Sequence, residues 1–158
     1  MRPSFAATLT ITVLALAAGG CGGKDAKTTL AKPALAKRAN AICTNYKARI
    51  EAIPQPAGQS GAQSALAYYE QTRPVLDDTV DELAKLKPNE NLKADWGAYV
   101  ASQRKAAKLL DDLVTQVKSG DRAVQQTVTQ ITKTVDEGDT AAKKIGATSC
   151  VAATAAPS

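Results

Sequence analysis

Residues 124–145 read VQQTVTQITKTVDEGDTAAKKI, and the spacing of their apolar and small side chains decides the fold class. Val124, Val128, Ile131, Val135, Gly138, Ala142 and Ile145 recur at steps of three and four. That is the period of one face of an α-helix, and no alternating β pattern competes with it. Gly146 follows at once and is placed to end the helix. Asp121 is a candidate N-cap before it, and Gly120 a candidate C-cap for whatever precedes.

Working outward, three more segments show the same period. The first runs from Pro33, a residue suited to a first helical turn, to Ile53. It carries Leu35, Ala39, Ile42, Cys43, Tyr46, Ile50 and Ile53 on one face before the breaker Pro54-Gln55-Pro56-Ala57-Gly58. The second starts at Ser60-Gly61-Ala62-Gln63, a candidate capping box, and its stripe is Ala62, Leu66, Tyr69, Leu76, Val80 and Leu83. Pro88 closes it. The third carries Leu92, Trp96, Tyr99, Ala106, Leu110, Leu113 and Val117. Four amphipathic helices with short connections predict an all-α, up-down-up-down four-helix bundle over 33–150, with a thin, alanine-rich core.

Residues 1–20 read as an export signal instead of as fold. Arg2 precedes an apolar stretch from Phe5 to Ala18, too short to span a bilayer, which needs about 20 residues. It runs into Ala18-Gly19-Gly20-Cys21, which resembles the bacterial lipobox, where Cys21 becomes the acylated (palmitate-bearing) N-terminus. Ordinary cleavage after Ala15-Leu16-Ala17 is the alternative, and it would leave three cysteines in an oxidising compartment. Lipidation consumes Cys21 and leaves an even pair, Cys43 and Cys150.

A Cys43–Cys150 disulfide would close a loop of 108 residues, worth about 4–5 kcal/mol in the chain-entropy model. Simple antiparallel pairing sets Cys43 opposite about Thr134, so either the segment after Gly146 folds back along the first helix or the helices are offset. The competing use of the thiols, in a metal site or as a nucleophile, lacks histidine ligands and a base.

Ala39-Asn40-Ala41-Ile42-Cys43 near the start, and Ala141-Ala142-Lys143-Lys144-Ile145-Gly146 leading to Cys150, resemble a group of small secreted or lipid-anchored helical proteins of actinobacteria. The resemblance covers about 33–150. It implies a disulfide-linked helical domain outside the membrane and brings no activity or catalytic residues with it.

The 158-residue chain contains no histidine. His-based triads, His general bases and His metal or haem ligation are therefore unavailable. Its net charge of +5 is uneven. After signal removal, Lys24, Lys27, Lys32, Lys37 and Arg38 oppose only Asp25, whereas 14 basic and 14 acidic side chains cancel from Ala39 onward. Residues 21–32 read as a flexible basic tether, and 151–158 as a disordered tail. The tether cations either hold the linker to anionic lipid heads or simply keep it solvated. No basic stripe interleaved with aromatics suggests nucleic-acid binding.

Two seams are interrupted, at Arg73 (followed by Pro74) and at Gln103, which antiparallel pairing sets at about one height. A mid-bundle pocket receiving an anion at Arg73 is one reading. The other has Arg73 turned outward to Asp77 or Glu70, with Gln103 satisfying a loose carbonyl. Asp77, Asp78, Asp81 and Glu82, like Asp111-Asp112, read as a solvated acidic face, and Trp96 and Tyr99 as core. The expectation is a monomeric, non-catalytic envelope lipoprotein, lacking cofactor and metal, that meets the membrane through its lipid and an envelope protein as a partner. The alternative is a small-ligand carrier with its pocket near Arg73 and Gln103.

Overall fold

The computed structural model describes residues 29–54 and 61–152. The signal, Cys21, Lys24, Lys27, the breaker from 55 and the tail from 153 lie outside them. The order is α1 (Lys32–Glu51), α2 (Ala62–Lys85), a 3-10 turn (Glu90–Leu92), α3 (Lys93–Ser119), α4 (Val124–Ile145) and a second 3-10 turn (Thr148–Cys150). The protein is a helical bundle with one disulfide, and the described residues hold no strand, only an isolated bridge between Leu30 and Pro88.

The helix ends follow their punctuation with two departures. Pro33 sits in the first turn of α1, and Gly120 and Gly146 end α3 and α4. Gly146 does so at φ 82°, left-handed backbone that favours glycine. Ser60 of the expected capping box lies outside the described residues, and the N-cap of α2 is Gly61, with no side-chain cap. Asp121 lies two residues before the N-cap position, Ala123, whose N–H its Oδ1 accepts at 2.9 Å, and α4 starts at Val124. α2 continues through Pro74 without interruption.

α3 and α4 form the most extensive helix pair. Small residues make this possible: a Cβ on Gly138 would collide with Ser102 Oγ, so glycine lets the helices approach here without that side chain having to shift. Lys144 meets Asp95 at one end of the pair and Gly138 meets Ser102 further along, so α3 and α4 run in opposite directions. Glu70 against Lys118 and Arg73 against Asp111 show the same for α2 and α3.

The well-buried core gathers at the end where α1 begins and α4 finishes. Leu35, Leu83, Trp96, Tyr99, Ala142 and Ile145 lie there at 4% exposure or less. Trp96 and Tyr99 are core, with tilted rings 5.5 Å apart. Toward the other end the stripes are only half covered, including Leu66, Leu110, Leu113 and Val117.

The α4 stripe is buried as expected at Gly138, Ala142 and Ile145, but Val124, Ile131 and Val135 are half-buried and Val128 is 39% exposed. Thr127 and Thr134 are buried instead. Thr134 sends its hydroxyl back to the Gln130 carbonyl at 2.8 Å, so its polar atom is satisfied within the helix. The physical reason is that α4 turns its small side to α3, while α1 meets α4 only sparsely and does not cover the valines.

Cys43 and Cys150 are bonded, with their Cα atoms 5.1 Å apart. The chain after Gly146 does fold back along α1. Gly146 lies beside Ala36, Ser149 beside Asn40 and Cys150 beside Cys43, so this stretch runs with α1 and not against it.

The tether reading needs correction at its C-terminal end. Leu30 is buried, its N–H donates to the Lys87 carbonyl at 2.7 Å, and its carbonyl accepts the Asn89 N–H at 3.0 Å. Lys32 already belongs to α1. A leucine in a basic, glycine-rich run carries no periodic signal, yet it completes the core that α1 alone leaves open.

Candidate functional site

α1, α2, α3 and α4 together wall a cavity of about 190 Å³ beside the disulfide. Its apolar lining includes Tyr46, Leu76, Val80, Leu83, Tyr99 and Val135. Besides the tyrosine hydroxyls, Lys47, Thr79, Gln103, Asp139 and Ser149 bring polar side chains to it. Thr79 is spent on its own helix, donating to the Val75 carbonyl at 2.7 Å. Asp139, 8% exposed, accepts the Ala152 N–H at 2.9 Å through Oδ1 and so ties down the segment after Cys150. Lys47 and Ala152 are exposed and mark the rim. Gln103 makes no hydrogen bond to a described residue, which leaves its amide donor and acceptor available to the cavity.

The Tyr99 hydroxyl lies 3.7 Å from Cys43 Sγ, which as half of a disulfide can only accept. Burial, and then the neighbouring Asp139 charge, push the Tyr99 phenol well above its ordinary range, so it stays a neutral wall residue. Burial also raises Tyr46, with Tyr68 adding to it.

Arg73 is not in this cavity. Its guanidinium lies between α2 and α3, donating from Nε and Nη2 to the two carboxylate oxygens of Asp111 at 2.9 Å each. It also pairs with Asp77 one turn on. Tyr69 donates to the same Asp111 Oδ1 at 2.8 Å. The hydrogen bond from Arg73, followed by that from Tyr69, holds the Asp111 carboxyl below its ordinary value. With two carboxylates already on it, Arg73 has no charge to offer an anionic ligand. The two seam interruptions therefore part company: Gln103 faces a cavity, and Arg73 staples two helices. Sequence spacing set them at one height but could not give their direction around the axis.

Part of the acidic face goes to ion pairs, while Asp81 and Glu82 are exposed as expected. Asp77 goes to Arg73, Asp78 to Arg49 on α1 at 2.8 Å, and Asp112 to Lys108 at 3.0 Å. Among the described residues no three His, Cys, Asp or Glu side chains gather as a metal site would require. Lys32, Lys37 and Arg38 are exposed on the first two turns of α1. No described helix is long and apolar enough to cross a membrane.

Two structural residues were not singled out from sequence. Asn40 pins the fold-back, and Gly138 sets the α3–α4 distance. A glycine inside a strict heptad is the signal that could have marked the second, because it commonly means close backbone approach. Comparison of the chain with protein-family models, with curated proteins and with solved structures finds no match.

Proposed function

We propose that this chain is a lipid-anchored helical module of the bacterial cell envelope. Cys21 carries the lipid at the outer face of the cytoplasmic membrane, and the bundle serves as a non-catalytic interaction or structural domain. The observation that carries this reading is the Cys43–Cys150 bond, which uses two of three cysteines and leaves Cys21 as the odd one behind an apolar leader. Disulfides persist in oxidising compartments, where acylation removes a thiol that would otherwise stand unpaired. The non-catalytic part rests on the lack of histidine and on Asp111 being held by Arg73 and Tyr69 instead of aimed at the cavity.

Mass spectrometry of the protein recovered from cell membranes tests the anchor. The expected product begins at Cys21 and carries acyl chains, and Cys21→Ser moves the protein to the soluble fraction. An N-terminus at Ala18 with an unmodified Cys21 would refute it.

The cavity favours a second reading, a carrier of a small ligand. Largely apolar walls with the uncommitted Gln103 amide among their polar groups suit a compact molecule bearing a hydroxyl or amide. NMR titration with benzyl alcohol should shift Gln103 and Val135 together. Val135→Phe, which fills the space, should abolish the effect, and shifts scattered over the surface would dismiss the carrier.

A further inference from the structure

We propose that the end of the bundle from which the N-terminal chain emerges is a docking surface for anionic lipid headgroups. The proposal rests on the anchored reading for its setting and on the fold for its geometry.

Leu30 fixes which end this is. Its two backbone hydrogen bonds to Lys87 and Asn89 seat it on the α2–α3 connection, beside the start of α1 and the end of α4. Nine residue steps separate Cys21 from Leu30, so their separation cannot exceed about 30 Å. α3 alone, at 27 residues, is about 40 Å long. A lipid on Cys21 therefore brings this end of the domain to the bilayer before the opposite one.

That same end is where the charge of the folded domain is gathered. Over the described residues 17 basic side chains face 14 acidic ones. Away from the last two turns at this end, nine oppose nine, so the whole excess sits here. Lys93 is matched by Glu90 and Lys144 by Asp95. Asp139 is buried and takes a backbone N–H. Lys32, Lys37, Arg38, Lys85, Lys87 and Lys143 remain, all exposed and in no ion pair with a described residue, against the exposed Asp81 and Glu82. Lys32, Lys37 and Arg38 are near neighbours in the sequence, whereas Lys85, Lys87 and Lys143 come from α2, the α2–α3 connection and α4. Folding collects them around the point where the tether leaves. Attraction to an anionic surface acts within about 10 Å at 0.1 M salt, a range that the anchor's reach of about 30 Å lets this end enter.

The test uses the chain from residue 21 onward with Cys21→Ser, so that no lipid contributes, in co-sedimentation with vesicles. Binding is expected to phosphatidylcholine vesicles containing phosphatidylglycerol, with none to phosphatidylcholine alone, and it should be lost in high salt. Arg38→Glu, Lys87→Glu and Lys143→Glu together should lower partitioning by about tenfold or more. The charge-matched set Lys108→Glu, Arg122→Glu and Lys133→Glu should change it less than about twofold. Circular dichroism checks that both sets remain folded. Equal losses in the two sets, equal binding to neutral vesicles, or no binding would each overturn the proposal. Failure of Cys21 acylation in cells would leave the vesicle result standing, so the two readings fail separately.

Discussion

The amide of Asn40 holds Ser149 in place: Asn40 Oδ1 accepts the Ser149 N–H at 2.8 Å, while Nδ2 of the same side chain donates to the Gly146 carbonyl at 3.2 Å. One α1 residue thus satisfies both sides of the turn that reverses the chain after α4 and delivers Cys150 to Cys43. Asn40→Ala strands two partly buried backbone groups and should cost about 1–3 kcal/mol. It should also raise the fraction of free thiol recovered after oxidative refolding. Urea denaturation and thiol titration check the two effects, and an unchanged thiol fraction would mean the turn forms without Asn40.

The disulfide closes a loop spanning most of the described chain, around an alanine-rich core. Reduction, or Cys43→Ser with Cys150→Ser, should destabilise the domain by about 2–5 kcal/mol. Equilibrium unfolding with and without reductant measures it. Coincident curves would show that noncovalent packing alone holds this end.

Gly138→Ala tests the α3–α4 approach. Alanine favours helix by roughly 1 kcal/mol over glycine, yet its Cβ would collide with Ser102 Oγ. The collision should win, with a net loss of about 1–3 kcal/mol in thermal unfolding. Ser102→Ala in the same chain should restore part of it, because the nearest clashing atom is then gone. A stabilised Gly138→Ala would mean that the helices separate freely at this point.

Acid should loosen the α2–α3 staple. The Asp111 carboxyl is held below its ordinary value of 3.8, chiefly by Arg73, so its contribution is present above that value and is lost as pH falls through the lower folded-state value. Asp111 is 48% exposed, so the contribution stays below about 1 kcal/mol. Asp111→Asn should lower stability at neutral pH and flatten its decline below about pH 4, measured by urea unfolding over a pH series.

Alkali should act through Tyr99. Burial raises its phenol above 10.0, so the folded state keeps a proton that the unfolded chain releases. The associated stability is complete below pH 10.0 and falls as pH rises beyond it. Tyr99→Phe should reduce the slope of stability against pH on this alkaline side, and an unchanged slope would assign the dependence to other tyrosines.

The helices and their glycine ends were legible in the chain because each depends on local backbone preference, and the cysteine pairing because Cys43 and Cys150 fall near the start of the first helix and just past the end of the last. The candidate site was half legible. Gln103 does line a cavity, but Arg73 turns to Asp111, a partner 38 residues away that heptad counting at one position cannot supply. The tether was misjudged at Leu30, whose place depends on a gap left by other elements.

Residues 124–145 illustrate the division. Their period settled that they form a helix, since 3.6 residues per turn is a property of the segment alone. Which side of that helix is buried was decided in three dimensions. Gly138 lets α3 come close enough to cover Thr127 and Thr134, and α1 stays too far from Val124, Val128 and Ile131 to cover them. The turn at Asn40, the cavity and the gathered lysines are tertiary in the same sense, because each joins groups that only the approach of separate helices brings together.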